Sequence, residues 1–343
     1  MQEETMEATH PSQECRIDVR ALAQEAFDGC SPEILWEKKS NYGHVFGMKN
    51  PRDQTDMVVK VPVPWMLNEL TGKTRLEEAH RINALTLTYR NRLQGLGVIV
   101  PTTYDVLVTP SGFALHRMRF NGMDCDECLQ KTMGADFVLS VIYKIVRTIE
   151  GLLVGGAGEV GIDPRLSNFS LVKANQAVEY FDIFPPLIKL GETHHVHYPN
   201  PPAEIIPREV ERKFTPLGII RRLRFDVMAR DPDYEWIVLQ TLEELSDRKL
   251  REKLMGDLLE LVDVKMAKKP RAQWGAIIDS VDYTDVDTLR EVAVRVIPKD
   301  IDPAERTQLM DTVFVLTSAS ITKSAAEYQG RIRTFRELMT SYL

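Results

Sequence analysis

Gly161 to Pro186 reads GIDPRLSNFSLVKANQAVEYFDIFPP. Asp163 and Asn168 lie five positions apart in a short loop containing Pro164. One apolar run, Phe169 to Val172, follows, and a second, Val178 to Phe181, ends at Asp182. Short apolar runs bounded by turn residues read as the two strands of a hairpin. A loop fixed between a helix and such a hairpin can aim one carboxylate at a hydroxyl. An Asn carbonyl and a second carboxylate, reached through the hairpin, can then hold a metal beside it. Hard oxygen donors of this kind suit Mg2+, which keeps several waters and is bound through one or two carboxylates plus substrate phosphates. A structural account fits the same residues, since Asp and Asn cap turns and short motifs recur by chance.

The stretch resembles the catalytic loop and metal-binding strand of the protein-kinase-like superfamily, particularly its small-molecule branch, the aminoglycoside phosphotransferases and choline kinases. That branch reads His-Gly-Asp, four residues, Asn, then a hairpin ending in an apolar-Asp-Phe triplet. The resemblance implies that Asp163 is the general base and that Asn168 and Asp182 are the metal positions. Gly161 stands where the family usually has His, Ile162 where it has Gly or Arg, and Asp182-Ile183-Phe184 where it has Asp-Phe-Gly. The three oxygen-bearing positions are kept while their neighbours are not.

Toward the N-terminus lie three strand-like runs, Glu33 to Lys39, His44 to Met48 and Met57 to Val63. Ser40-Asn41-Tyr42-Gly43 and Asn50-Pro51-Arg52-Asp53 separate them, which predicts an antiparallel meander. Lys60 occupies the middle of the third run among valines, where an ammonium needs partners or a route to solvent. A helix over Gly72 to Leu93 carries Glu77 and Glu78. Glu78 shares a face with Ile82, Leu85 and Tyr89 and so faces inward, although a solvated acidic first turn explains either Glu equally well. Thr103 to Val108 and Phe113 to Arg119 complete five strands with one helix after the third.

For this half the resemblance implies a nucleotide-binding lobe. Lys60 would meet the α- and β-phosphates and pair with Glu78. Asn41 and Gly43 would offer backbone N–H groups to the phosphates, and the backbone around His116, Arg117 and Met118 would meet the adenine edge. The first turn has only Gly43 and Gly47 in place of a full G-x-G-x-x-G, so taken alone it reads as a plain hairpin.

Downstream, Arg119 to Asp124 breaks the sheet pattern as a hinge would, and a short helix runs through Leu129. Asp136 to Leu153 carries so broad an apolar stripe that the helix is buried on most sides. Phe184 to Pro207 is proline-rich and contains His194, His195 and His197. A mobile loop near a substrate entrance is expected there, with metal binding as the alternative and Thr193 as a candidate phosphorylation position. Helices follow over Leu217 to Met228, Trp236 to Leu245, Arg248 to Lys268, Asp287 to Val296 and Pro303 to Met339, the last interrupted. Arg221-Arg222-Arg224 reads as a solvated helix face. Asp279, Asp282, Asp285 and Asp287 either line a pocket for a cationic substrate or cap helices.

At 343 residues the chain exceeds the roughly 150-residue prior for one domain. The expected division is a disordered tail over 1–15, an N-lobe over 16–118 and a helical C-lobe over 119–343. With 43% hydrophobic and 27% charged residues the composition is that of a globular protein. A formal net charge of −7 argues against a nucleic-acid backbone as partner, which needs a basic face. The N-terminal MQEETMEATHPSQEC has no apolar core and no run of 18 apolar residues occurs, so no membrane partner and a cytoplasmic location are expected. Cys125 and Cys128 form one C-x-x-C without a second close pair, so free thiols are expected in preference to zinc.

The expected fold class is therefore α+β: a two-lobed protein-kinase-like fold with a five-stranded antiparallel N-lobe sheet, one helix and a mostly helical C-lobe. Lys60, Asp163, Asn168 and Asp182 are expected to converge in one cleft. The expected activity is ATP- or GTP-dependent, Mg2+-assisted phosphorylation of a hydroxyl group on a small molecule. A catalytically silent kinase-like nucleotide-binding or regulatory protein is the alternative, and transfer to a protein or of a nucleotidyl group would use the same residues.

Overall fold

Valine-rich runs punctuated by Asn, Gly and Pro give the first sheet its strands. A computed structural model describes residues 18, 21–22, 27, 30–40, 43–62, 72–120, 122–130, 134–172, 175–197, 203–231, 234–265, 278, 286–298, 301–317 and 325–342. Five strands, β1 (Glu33–Ser40), β2 (Gly43–Lys49), β3 (Asp56–Pro62), β4 (Tyr104–Val108) and β5 (Ala114–Arg119), form one sheet in the order β1-β2-β3-β5-β4. β2 pairs antiparallel with both β1 and β3, and its register sets Val45 opposite Lys60 and Phe46 opposite Val59. Because side chains alternate faces along a strand, that register turns Phe46, Met48, Val59 and Val61 into one core with Leu115, Leu22 and Phe27. Helix α1 (Gly72–Gly95) lies between β3 and β4 in the chain, so one helix follows the third strand as expected.

The chain divides into two compact units, residues 1–80 with 106–117, and residues 81–105 with 118–343. Residues 81–105, read from the sequence as part of the smaller lobe, thus cluster with the larger unit. The cause is close packing there. A Cβ on Gly151 would lie 2.0 Å from the Leu96 carbonyl oxygen, and Tyr180 donates its N–H to Ile99 at 2.8 Å.

In the larger unit, β6 (Gly122–Asp124), β7 (Phe169–Val172) and β8 (Val178–Tyr180) form an antiparallel sheet in that order. The segment expected to break the sheet pattern therefore contributes a strand of its own. Gly122 permits it, because a side chain there would meet the Leu171 carbonyl oxygen at 2.5 Å. Helix α2 (Cys125–Gln130) leads toward α3 (Ala135–Gly155), whose Val138, Val141, Ile142, Ile145, Val146, Ile149, Leu152 and Leu153 are all buried. The proline-rich stretch read as a mobile loop instead contains a hairpin, β9 (Ile188–Leu190) and β10 (Thr193–His195), anchored by a bridge from Ile188 to Val160.

The remainder is helical: α4 (Ile206–Phe214), α5 (Pro216–Arg230), α6 (Glu235–Glu243), α7 (Arg248–Lys265), α8 (Val286–Val296), α9 (Pro303–Leu316) and α10 (Ala325–Thr340). α5 packs against α4, α6, α7, α8 and α9, and that corrects the reading of its arginines. Arg222 and Arg224 are 9% and 1% exposed. Arg224 is matched by carboxylates, its Nη1 donating to Glu291 at 2.9 Å and its Nε to Glu235 at 3.1 Å. A buried guanidinium persists only when paired in this way. Among the described residues, no helix is long and apolar enough to cross a membrane.

Candidate functional site

Gly161 explains the first departure from the family pattern. Its N–H donates to Leu187 O at 2.8 Å, and a Cβ there would lie 2.8 Å from the Phe214 ring and 2.9 Å from Lys213 O. No side chain fits where the family carries His. The loop is held instead by a relay of phenols. Asp163 N–H donates to the Tyr180 hydroxyl at 3.5 Å, the Tyr180 and Tyr89 hydroxyls are hydrogen-bonded, and Tyr89 donates to Gly161 O at 2.9 Å.

Beyond Pro164, a 3-10 turn over Leu166–Asn168 brings the loop round. Leu166 N–H donates to Asp226 Oδ2 at 2.6 Å, so α5 fixes the turn from below. Asn168 Nδ2 donates to Asp163 O at 2.9 Å, and Phe181 N–H donates to Asn168 O at 3.0 Å. The residue preceding Asp182 is thus bonded to Asn168, and Asn168 to Asp163. Asp163 and Asp182 both act on Tyr89 and Tyr180, whose hydroxyls burial pushes well above the usual phenol range with the two carboxylates adding to the effect. Asp163, Asn168 and Asp182 therefore share one neighbourhood in the larger unit.

Asp163 is 27% exposed, and Arg222 Nε lies 3.4 Å from its Oδ1. Burial alone would raise this carboxyl, but Arg222, Lys213, Arg165 and Arg212 outweigh it and hold the group below its ordinary value. Behind the loop, Glu209 Oε2 binds His197 Nε2 at 3.1 Å and Lys213 Nζ at 2.9 Å, while Glu209 Oε1 binds Arg212 at 2.8 Å. His197 is thus absorbed into an ion cluster, and His194 Nε2 lies 3.0 Å from Gly158 O. Thr193 is exposed on β10.

In the smaller unit, Lys60 is half-buried on β3. Burial first, then the Lys60 charge, pushes the fully buried His116 down to about 3, so its imidazole is neutral. Glu78 is half-buried and Glu77 exposed, as the helical face predicted. Gly43 is buried at the start of β2, whereas Asn41 lies outside the described residues. The Arg117 guanidinium stands 5.8 Å from the Phe27 ring centre, and Met118, assigned to the larger unit, is buried. Asp279, Asp282 and Asp285 lie outside the described residues, as does the side chain of Asp287.

The donor set can be tested against Mg2+ directly. Asn168 spends its amide nitrogen on the Asp163 carbonyl, which leaves its amide oxygen available to a cation. Among the described residues, no group of three or more His, Cys, Asp or Glu side chains forms a metal cage. An amide oxygen and a carboxylate are hard donors of the type that Mg2+ takes together with water and phosphate. Cys125 and Cys128 are both buried, and burial pushes the Cys125 thiol far up.

Sequence reasoning missed Arg222, Tyr89, Tyr180 and Asp226. Only Asp226 left a signal, as an acid embedded in the apolar run Phe225-Asp226-Val227-Met228.

A five-stranded antiparallel sheet with one helix after its third strand, followed by a mostly helical body, is the element order expected of a protein-kinase-like fold. No protein-family model matches the chain, and no curated protein matches it. Among solved structures it is similar to a point mutant of the Mycobacterium tuberculosis PknI kinase domain. The identity is 12% over 90% of this chain and 93% of that one, with a TM-score of 0.33. At that score the likeness carries no argument.

Proposed function

We propose that the protein is a nucleotide-dependent phosphotransferase that phosphorylates a hydroxyl group of a small molecule, with ATP or GTP as donor and Mg2+ as cofactor. The observation that carries this reading is the bonded chain from Asp163 through Asn168 to Phe181, next to Asp182. Asp163, kept ionised by its cationic neighbours, orients the acceptor hydroxyl and takes its proton. A carboxylate held low is a weak base, so orientation is its larger contribution. Asn168 and Asp182 hold Mg2+, which when bound neutralises charge on the phosphate oxygens. Lys60, with Glu78 and the Gly43 turn, binds the donor phosphates, and the backbone at Arg117 and Met118 binds the base.

One observation favours a second reading, a kinase-like nucleotide-binding protein without turnover: Arg222 engages the carboxylate that would act as base. The two readings separate in one set of measurements. Thermal shifts against ATP and GTP, with and without Mg2+, report binding. Transfer to a broad panel of hydroxyl compounds reports turnover. The phosphotransferase reading expects Asp163→Asn to lower kcat by about 10^2 to 10^4 without changing the melting temperature of the free protein. Mg-nucleotide binding with no transfer to any compound would leave the second reading standing.

A further inference from the structure

Three guanidinium groups crowd one aromatic ring in the larger unit. Arg222 lies 4.5 Å, Arg165 4.9 Å and Arg290 5.0 Å from the centre of Phe314. The ring is itself fixed edge-on by Phe225 at 5.1 Å. Arg290 donates its Nε to Thr317 at 2.9 Å. Arg222 and Arg165 differ from it, because both reach the neighbourhood of Asp163.

Each keeps a buried donor that no described group accepts. Arg222 gives Nε to Asp163, while its buried Nη1 and the buried Nε of Arg165 have no hydrogen-bond partner among the described residues. Of the nearby carboxylates, Glu209 is committed to His197, Arg212 and Lys213, and one Asp226 oxygen to the Leu166 N–H; Asp226, Asp163, Asp311 and Asp126 act on Arg165 through their charge, yet none accepts from its Nε. Leaving a buried donor unsatisfied costs about 1–3 kcal/mol, more when it is charged. Stacking on Phe314 holds the planar groups in place while they wait for a partner. A planar fork of N–H donors matches a carboxylate or phosphate, to which Arg binds bidentately.

We propose that the acceptor carries an anionic group, a phosphate or carboxylate, which Arg165 and Arg222 bind beside Asp163. This deepens the phosphotransferase reading and rests on it. In the reaction, the bond between the γ-phosphorus and the β–γ bridging oxygen breaks and a bond forms from γ-phosphorus to the acceptor oxygen. The hydroxyl proton passes to Asp163 and nucleoside diphosphate leaves. The arginines touch a part of the acceptor that does not react, so their binding energy positions its hydroxyl. A cationic acceptor, suggested by the aspartates near residue 280, would meet like charge here.

Orthophosphate titrated into the full chain, without nucleotide or Mg2+, tests the site through the melting temperature. The wild type is expected to be stabilised. Arg165→Gln and Arg222→Lys, the latter keeping charge but losing the fork, are expected to need at least about tenfold more phosphate. No stabilisation of the wild type, or equal stabilisation of Arg165→Gln, overturns the proposal. Should Lys60→Ala abolish the effect while Arg165→Gln keeps it, the anion belongs with the donor phosphates and the proposal also fails.

A transfer assay then compares simple polyols with their monophosphates. Higher kcat/KM for the monophosphates, lost in Arg165→Gln, supports the assignment. Equal turnover of both overturns it and leaves the phosphotransferase reading intact. Transfer to neither, with phosphate still bound at Arg165, sinks the phosphotransferase reading and the acceptor assignment with it.

Discussion

Replacing Gly161 with alanine would put a methyl carbon 2.8 Å from the Phe214 ring and 2.9 Å from the Lys213 carbonyl oxygen. Overpacking of this kind costs about 1–3 kcal/mol, so Gly161→Ala should lower the urea midpoint by a corresponding amount with an unchanged slope. Asp163 allows a second prediction. Arg222 is the strongest of the cations that hold its carboxyl low, and burial pushes the other way. Arg222→Gln should therefore raise its pKa and move the acidic limb of the kcat/KM profile toward neutral pH. An unmoved limb would show that Asp163 is not the group being titrated. The closeness of Asp163, Asn168 and Asp182 could be read from the sequence because loop and hairpin set their spacing locally. The role of Arg222 could not, because three arginines within four residues look like a solvated helix face, and its partner is 59 residues away.

At the scale of elements, α4 and the segment after β10 are tied by the cluster of His197, Glu209, Arg212 and Lys213. Burial first, then Lys213, pushes His197 down to about 4. Burial opposes ionisation of Glu209, but Lys213, Arg212 and His197 hold it well below its ordinary value. A histidine depressed in the folded state binds its proton first in the unfolded chain. Its contribution to stability is therefore complete above about pH 6.5 and is lost as the pH falls toward 4. Glu209 loses its contribution below about pH 4.5, in the same direction. Asp126, which burial raises to about 6, opposes both over part of the range. The melting temperature should fall on acidification from pH 6.5 to 4, and His197→Gln should flatten that fall. A variant as acid-sensitive as the wild type would rule this cluster out as the cause. The sequence showed three histidines and no more. Glu209 lies 12 residues from His197, on a helix that the proline-rich reading passed over.

For the whole molecule, the five strands of the first sheet and the long helices α1 and α3 could be read because each carries its own periodicity, whereas β6, the β9–β10 hairpin and α4 are short and lie among turn residues and prolines. The membership of residues 81–105 could not be read, since it depends on contacts such as that of Tyr180 with Ile99, which no local pattern announces. The proposed function divides its labour along the same lines. Lys60 belongs to the smaller unit and Asp182 to the larger, so their removal should fail differently. A nucleotide at 100 times its Kd stabilises the state that binds it by about 2.7 kcal/mol. For a chain of this length that corresponds to roughly 4 °C in melting temperature. Lys60→Ala should lose this shift with or without Mg2+. Asp182→Ala should lose only the increment that Mg2+ adds, because nucleotide without metal does not call on its carboxylate. If Asp182→Ala weakened metal-free nucleotide as severely as Lys60→Ala does, Asp182 would be acting on the fold rather than on a bound cation.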